Sequence, residues 1–225
     1  VTSSNSELLR VADIVYPAGA IGECILLTGS TTLNLTITTD ALTNTITGTA
    51  HGLVTGSRVR INSNGTVPGG LAAGVDYYAI ALSANQFKVA ETLANAVAGT
   101  DINLTDGGTG TVTVNEQALL VTDPIEVLIN KELPSGAYQR LPITVGAAAM
   151  DGLEAVKPPV VVTLNNTGTT EIIYRHVLIA YGAGSAIAST AGITGFDLIT
   201  EGTDQTTAAS QVREITLIFG AQQAV

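Results

Sequence analysis

Residues 47–114 read TGTAHGLVTGSRVRINSNGTVPGGLAAGVDYYAIALSANQFKVAETLANAVAGTDINLTDGGTGTVTV. Short runs rich in Val, Ile, Tyr and Thr alternate with Gly-rich turns, the pattern of a small β domain. Residues 57–62 read as one strand. Asn64-Gly65 follows as a turn, because both residues tolerate positive φ. Residues 75–82 and 86–90 read as a hairpin around Ser83-Ala84-Asn85. Residues 91–98 predict the one short helix of this half, with Thr92 as its cap and Gly99 as its stop. Gly107 to Gly110 is a turn, and residues 111–114 close the module.

The order of elements in this stretch resembles a small β domain that recurs in structural proteins of tailed bacteriophage virions. The resemblance is carried by His51-Gly52-Leu53, Gly56, Arg58-Val59-Arg60-Ile61, Pro68-Gly69-Gly70-Leu71, Gly74, Tyr77-Tyr78-Ala79-Ile80, Asn85-Gln86-Phe87-Lys88-Val89 and Gly107-Gly108-Thr109-Gly110. It implies a virion part, on the capsid surface or in the tail.

Outward from this stretch the texture stays β. Leu33, Leu35 and Ile37 alternate with Asn34, Thr36 and Thr38, which predicts a half-buried strand. Residues 40–44 read as a turn, and 45–49 pair back as a hairpin. Residues 8–16 and 23–28 read as strands before it. After it, strands are expected at 125–130, 138–145, 160–164, 171–181 and 212–219, with Pro142 marking an edge strand. Ile125, Val127 and Ile129 would then share one face. The Gly- and Ala-rich residues between 181 and 212 read as loops, with 183–192 the least ordered by composition. The expected fold is all-β. A β-sandwich or jelly-roll-like parent domain, residues 1–30 plus 116–225, carries an inserted small β domain, residues 31–115. Residues near Thr31 and Val114 should therefore lie close together.

Of the 225 residues only 12% are charged and 4% aromatic, and Trp is absent. The net charge of −10 argues against nucleic acid, whose phosphates need a basic footprint, and against an anionic membrane surface. No apolar run approaches the length of a membrane span, and no secretory leader is read at the start. The single Cys24, in an apolar run, cannot staple its own chain and reads as a buried small hydrophobe.

Candidates for chemistry are few. His51 sits in a Gly-flanked turn near Thr49, Thr55 and Ser57, and reads as a turn histidine bonded to backbone. His176 is expected within a strand, sharing a face with Tyr174 and Leu178. Asp101, Asp106, Asp123 and Glu126 could gather around calcium, but they lack the alternating spacing of a calcium loop. The glycine clusters at 65–70 and 107–110, and Gly182-Ala183-Gly184, lack the sequence context of a phosphate cradle. No catalytic, metal or cofactor site is expected.

The expectation is a virion structural protein with no enzymatic activity. The favoured form is a capsid decoration (cement) protein on the outer surface, binding the major capsid protein or neighbouring virion proteins. A tail, baseplate or fibre-associated protein is the alternative, and a carbohydrate-degrading tail enzyme is a third reading. Neither nucleic acid nor membrane is expected as a partner. A homo-oligomer, favoured as a homotrimer, would use the strands at 125–130, 171–181 and 212–219 for contact. Residues 1–9 are expected as a mobile interaction arm, with Leu8 and Leu9 contacting the partner.

Overall fold

A computed structural model of the chain describes residues 5–10, 21–28, 33–134, 138–144, 149–151, 154–156, 160–167, 169–182 and 193–218. The fold is all-β. It divides into two units, Ser30–Asn130 and a parent formed by Val1–Gly29 with Lys131–Val225. The parent starts with β1 (Asn5–Arg10) and β2 (Ile21–Leu27). The inserted module holds β3 (Asn34–Thr36), β4 (Thr38–Asp40), β5 (Thr45–Thr47), β6 (Arg58–Ser63), β7 (Asp76–Ala81), β8 (Gln86–Ala90), α1 (Leu93–Ala98), β9 (Val112–Glu116) and α2 (Ile125–Ile129). The parent resumes with β10 (Leu141–Thr144), β11 (Ala149–Asp151), β12 (Glu154–Val156), β13 (Val160–Asn165), β14 (Ile172–Gly182), β15 (Ile193–Thr207) and β16 (Val212–Ile218).

The module is a closed barrel. Its sheet runs β3-β9-β6-β7-β8-β5-β4, seven strands by hydrogen-bond ladder. Only Ile37 separates β3 from β4, and its own N–H donates to Val112 O at 2.9 Å. Residues 34–40 are thus one bent strand that pairs with β9 at one end and β5 at the other. Counting β3 and β4 as one leaves six strands and no open edge, which removes the exposed ladder that invites aggregation. Alternation fills the interior. Ile37, Ile46, Val59, Ile61, Tyr77, Ala79, Phe87, Val89, Val112 and Val114 form one core, and Leu53 and Leu104 join it from the loops. Helix α1 lies outside, with Ala96 against Ile80 and Ala90. Its Thr92 hydroxyl accepts from Asn95 N at 3.1 Å, and Gly99 ends it at φ 73°, both as read from the sequence.

Two of the parent's sheets lie over one core. Its three-stranded sheet runs β1-β16-β13 and its four-stranded sheet β10-β2-β14-β15. Cys24 and Leu26 of β2, Ile143 of β10, and Tyr174, Val177 and Ile179 of β14 pack in the same core as Val162 and Leu164 of β13 and Ile215 and Leu217 of β16. That is sandwich packing. Among the described strands of the two sheets pairing is antiparallel except for β1 with β16, which is parallel. Pro142 lies on the edge strand β10, where its missing N–H breaks no inner ladder.

Where the chain leaves and rejoins the parent, the two ends pair. Thr28 N donates to Lys131 O at 2.8 Å and Leu133 N to Leu26 O at 3.1 Å. Inside the module Leu35 stands opposite Val114. The module ends at Asn130, not at 115, because residues 117–130 stay with the barrel.

Four further readings are corrected. Residues 125–129 are helix α2, not a strand: Pro124 O accepts from Val127 N and Leu128 N, opening a helical turn, and Val127, Leu128 and Ile129 are buried consecutively. They therefore supply no parent strand for an oligomer contact. Residues 193–207, read as loop, form the 15-residue strand β15, because pairing along β14 outweighs the poor strand propensity of its Gly and Asp residues. The short β11–β12 hairpin was not anticipated. Residues 5–9, expected within the mobile arm 1–9, belong to strand Asn5–Arg10, which pairs with Arg213–Ile218. Residues 1–4, 11–20, 183–192 and 219 lie outside the described residues.

Candidate interaction site

Strand direction sorts the module's loops into two ends. The chain enters at Leu33 and leaves after Glu116 at one end, which also carries loops 48–57 and 82–85. The turn 41–44 and loops 64–75 and 99–111 lie at the other, distal end.

The distal end is stitched together by side chains that bond backbone. Asp106 Oδ1 accepts from Gly69 N at 2.9 Å and Gly108 N at 2.8 Å, tying loop 64–75 to loop 99–111. Asn64 Oδ1 accepts from Thr111 N at 2.7 Å, and Ser63 Oγ donates to Thr109 O at 2.6 Å. Thr66 N donates to Thr109 Oγ1 at 3.0 Å. The β4–β5 turn is tied in as well: Thr39 Oγ1 donates to Gly107 O at 3.0 Å, and Asn44 Oδ1 accepts from Leu104 N at 2.9 Å. Two glycines allow the loops to meet. Gly108 sits at φ 71°, and a Cβ there would lie 2.5 Å from Thr66 O; at Gly65 it would lie 2.6 Å from Thr109 O. Asn64 and Gly65 are thus used for hydrogen bonding and space. Neither has the positive φ expected of a two-residue hairpin turn.

Within the β4–β5 turn, Asp40 Oδ1 accepts from Leu42 N and Oδ2 from Thr43 Oγ1, both at 2.9 Å. Asn44 takes φ 55°. The result is a fixed tip bearing Leu42, whose side chain is in water: the residue is 96% exposed. Sequence reading found the turn but not the leucine it displays. The signal available was the Asp-x-Leu-Thr-Asn order, in which Asp and Asn close a turn through their own side chains.

The distal carboxylates are held ionised. Thr43 Oγ1 and Leu42 N–H lower the Asp40 pKa below 3.8, Lys88 lowers that of Asp101, and the Gly108 and Gly69 N–H groups lower that of Asp106. A carboxylate with a depressed folded pKa stabilises above its unfolded value and loses that contribution as pH falls through the folded one. The Leu42, Gly69 and Gly108 amides are therefore expected to keep their hydrogen-exchange protection, corrected for intrinsic rate, from neutral pH to well above 3.8. Protection should fall below that value. Loss already between pH 7 and 5 would show that these carboxylates do not hold the loops.

The residues weighed for chemistry are scattered. His51 is a buried turn histidine, as expected: Nδ1 accepts from Leu53 N at 3.0 Å, and the ring packs edge-on to Phe87 with centroids 5.1 Å apart. Its Nε2 has no hydrogen-bond partner among the described residues. His176 is buried, but not on the Tyr174 face. A register shift between Tyr174 and His176 turns the strand, so Tyr174 packs with Val177 and Ile179. Cys24 is buried in the parent core. The four acids weighed for calcium are dispersed: Asp101 pairs with Lys88 at 2.9 Å, Asp106 binds the two glycines, Asp123 accepts from Leu120 N, and Glu126 lies in the first turn of α2. Burial pushes the Asp123 carboxyl up, against the pull of Leu120 N–H and Arg58. Among the described residues no three His, Cys, Asp or Glu gather as a metal site. Leu8 and Leu9 stand on β1 opposite Thr216 and Leu217.

One buried ionic cluster escaped the sequence altogether. In the parent, Arg140 Nε and Nη2 donate to Glu132 Oε1 and Oε2 at 2.8 and 2.7 Å, and Nη1 donates to Glu23 Oε2 at 3.2 Å. Tyr138 OH donates to Glu132 Oε1 at 2.8 Å and accepts from Leu26 N. Burial, then the Glu132 charge, drives the Tyr138 pKa far up, so the phenol stays protonated. Burial opposes the Arg140 charge, but Glu132 and Glu23 more than offset it and raise its pKa. Every charge faces a partner, so the cluster reads as a clamp on the strand that re-enters the parent.

No helix among the described residues is long and apolar enough to cross a membrane. No protein-family model, no curated protein and no solved structure matches the chain.

Proposed function

We propose that this chain is a structural component of a bacteriophage virion: a capsid decoration (cement) protein that binds and stabilises the major capsid shell, without catalytic activity. The observation that carries the reading is the module itself. A barrel without open edges holds a rigid loop face at the end away from its chain connections. Such a part suits display on an exposed lattice, because ordering before binding lowers the entropic cost of docking. The resemblance of residues 47–114 to a recurrent phage virion module points the same way. The net charge of −10 suits a protein that must avoid DNA during assembly. We propose a homotrimer as its assembly state, since shell decoration at local three-fold points matches ring symmetry.

Purified protein added to capsids assembled without it is expected to co-sediment with them, saturate at a fixed number of copies and raise their melting temperature. Image reconstruction should then place it on the outer shell. Density confined to the tail would move the reading to a tail component. Absence from capsid and tail alike would overturn it.

A further inference from the structure

We infer that Leu42 is the anchor of the distal loop face, entering an apolar pocket rimmed by basic side chains on a protein partner. Given the decoration reading, on which this rests for the partner's identity, the pocket lies on the major capsid protein. Three observations carry the inference. Leu42 is the most exposed large hydrophobic residue of the described chain, at 96%. An exposed leucine is ordinary on a loose loop, but this one stands on a turn fixed by both oxygens of Asp40 and by Asn44. A leucine on a fixed turn has the backbone part of its ordering cost met before any partner arrives, which is how interface anchors gain affinity. Around it the balance is acidic: Lys88 and Arg60 are neutralised by Asp101 and Asp76, while Asp40 and Asp106 are ionised and bonded to N–H or O–H donors instead of to cations. The face therefore complements a basic rim. Thr39 and Gly107 join the two acidic loops, so both carboxylates belong to one surface.

The test uses full-length protein and capsids assembled without it, with binding measured by co-sedimentation. Leu42→Asp and Leu42→Ala are compared with wild type, with Leu42→Met as the conservative variant. Leu82→Asp serves as control, a 51% exposed leucine at the opposite end of the barrel. Leu42 touches no core, so the melting temperature of all four should match wild type. Leu42→Asp and Leu42→Ala are expected to weaken binding by about ten- to a hundredfold, the worth of one buried leucine. Leu42→Met and Leu82→Asp should bind as wild type does, and added NaCl should weaken wild-type binding. Equal binding by wild type and Leu42→Asp would overturn the anchor while leaving the decoration reading standing. A loss in Leu82→Asp as large as in Leu42→Asp, or binding indifferent to salt, would also overturn it. Failure of the wild-type protein to bind would remove the decoration reading and the anchor together.

Discussion

Replacing Arg140 by Met is expected to destabilise the parent sandwich by about 3–5 kcal/mol, the usual result of removing one partner from a buried ion pair. Among the described residues the guanidinium is the cation that pairs with both Glu132 and Glu23, with its side chain 3% exposed and that of Glu132 1% exposed. Its loss takes the bidentate guanidinium from a buried Glu132 carboxylate, beside a Tyr138 phenol that cannot neutralise it. The loss falls where the chain re-enters the parent, since Leu27 bridges to Glu132 and Leu133 bonds Leu26. Two melting transitions are expected, with only the parent's moving down. The double variant Arg140→Met with Glu132→Leu should recover most of the loss, because it removes the orphaned charge as well. If the single and double variants melt alike, the clamp acts through packing and not through charge. If Arg140→Met melts like wild type, the cluster carries no stability at all.

How much of this was readable beforehand depended on the range of the interaction. Alternation at Leu33, Leu35 and Ile37 placed a half-buried strand, and Leu35 and Ile37 do face the barrel core. Thr92 and Gly99 bounded α1, since a cap and its helix are a few residues apart. Long-range pairing was not readable. Residues 34–40 look like one strand, yet whether such a strand closes a barrel depends on its meeting both β5 and β9, some ten and eighty residues on in the chain. Ile125, Val127 and Ile129 satisfy a strand's period while Val127-Leu128-Ile129 satisfies a buried helical turn, and length alone did not separate them. Strand β15 was hidden by Gly195, Asp197, Gly202 and Asp204, whose cost is outweighed by its long ladder on β14. Glu132, Tyr138 and Arg140 are near neighbours in the chain, but Glu23 joins them from 117 positions away and the four carry no local motif. The distal face was half legible: its Asp, Asn and Gly residues announced turns, but which loop each side chain would tie down is a property of the closed barrel.

The barrel should fail at Phe87. Phe87→Ala is expected to destabilise the module by about 3–5 kcal/mol, the range for removing a buried aromatic ring. Phe87 is fully buried on β8, opposite Ile46 of β5 and Ala81 of β7, so it holds the wall on both sides. It also supports the edge-on ring of His51, whose turn sits at the entry end and would lose that packing. A closed barrel has no edge at which to fray, so the loss should appear as cooperative unfolding of the whole module and not as local opening. The module's transition should fall in urea and in heat while the parent's stays near its wild-type value, the converse of Arg140→Met. The distal face should be lost with it, because the loops that Asp40, Asn64 and Asp106 tie together are brought into reach of one another by the barrel strands. Below the new module transition, Phe87→Ala should bind capsids as wild type does; above it, binding should vanish although the parent remains folded. A Phe87→Ala protein that lowers both transitions equally would show that the two units fold as one. One that keeps capsid binding with its module unfolded would move the docking surface off the barrel and onto the sandwich.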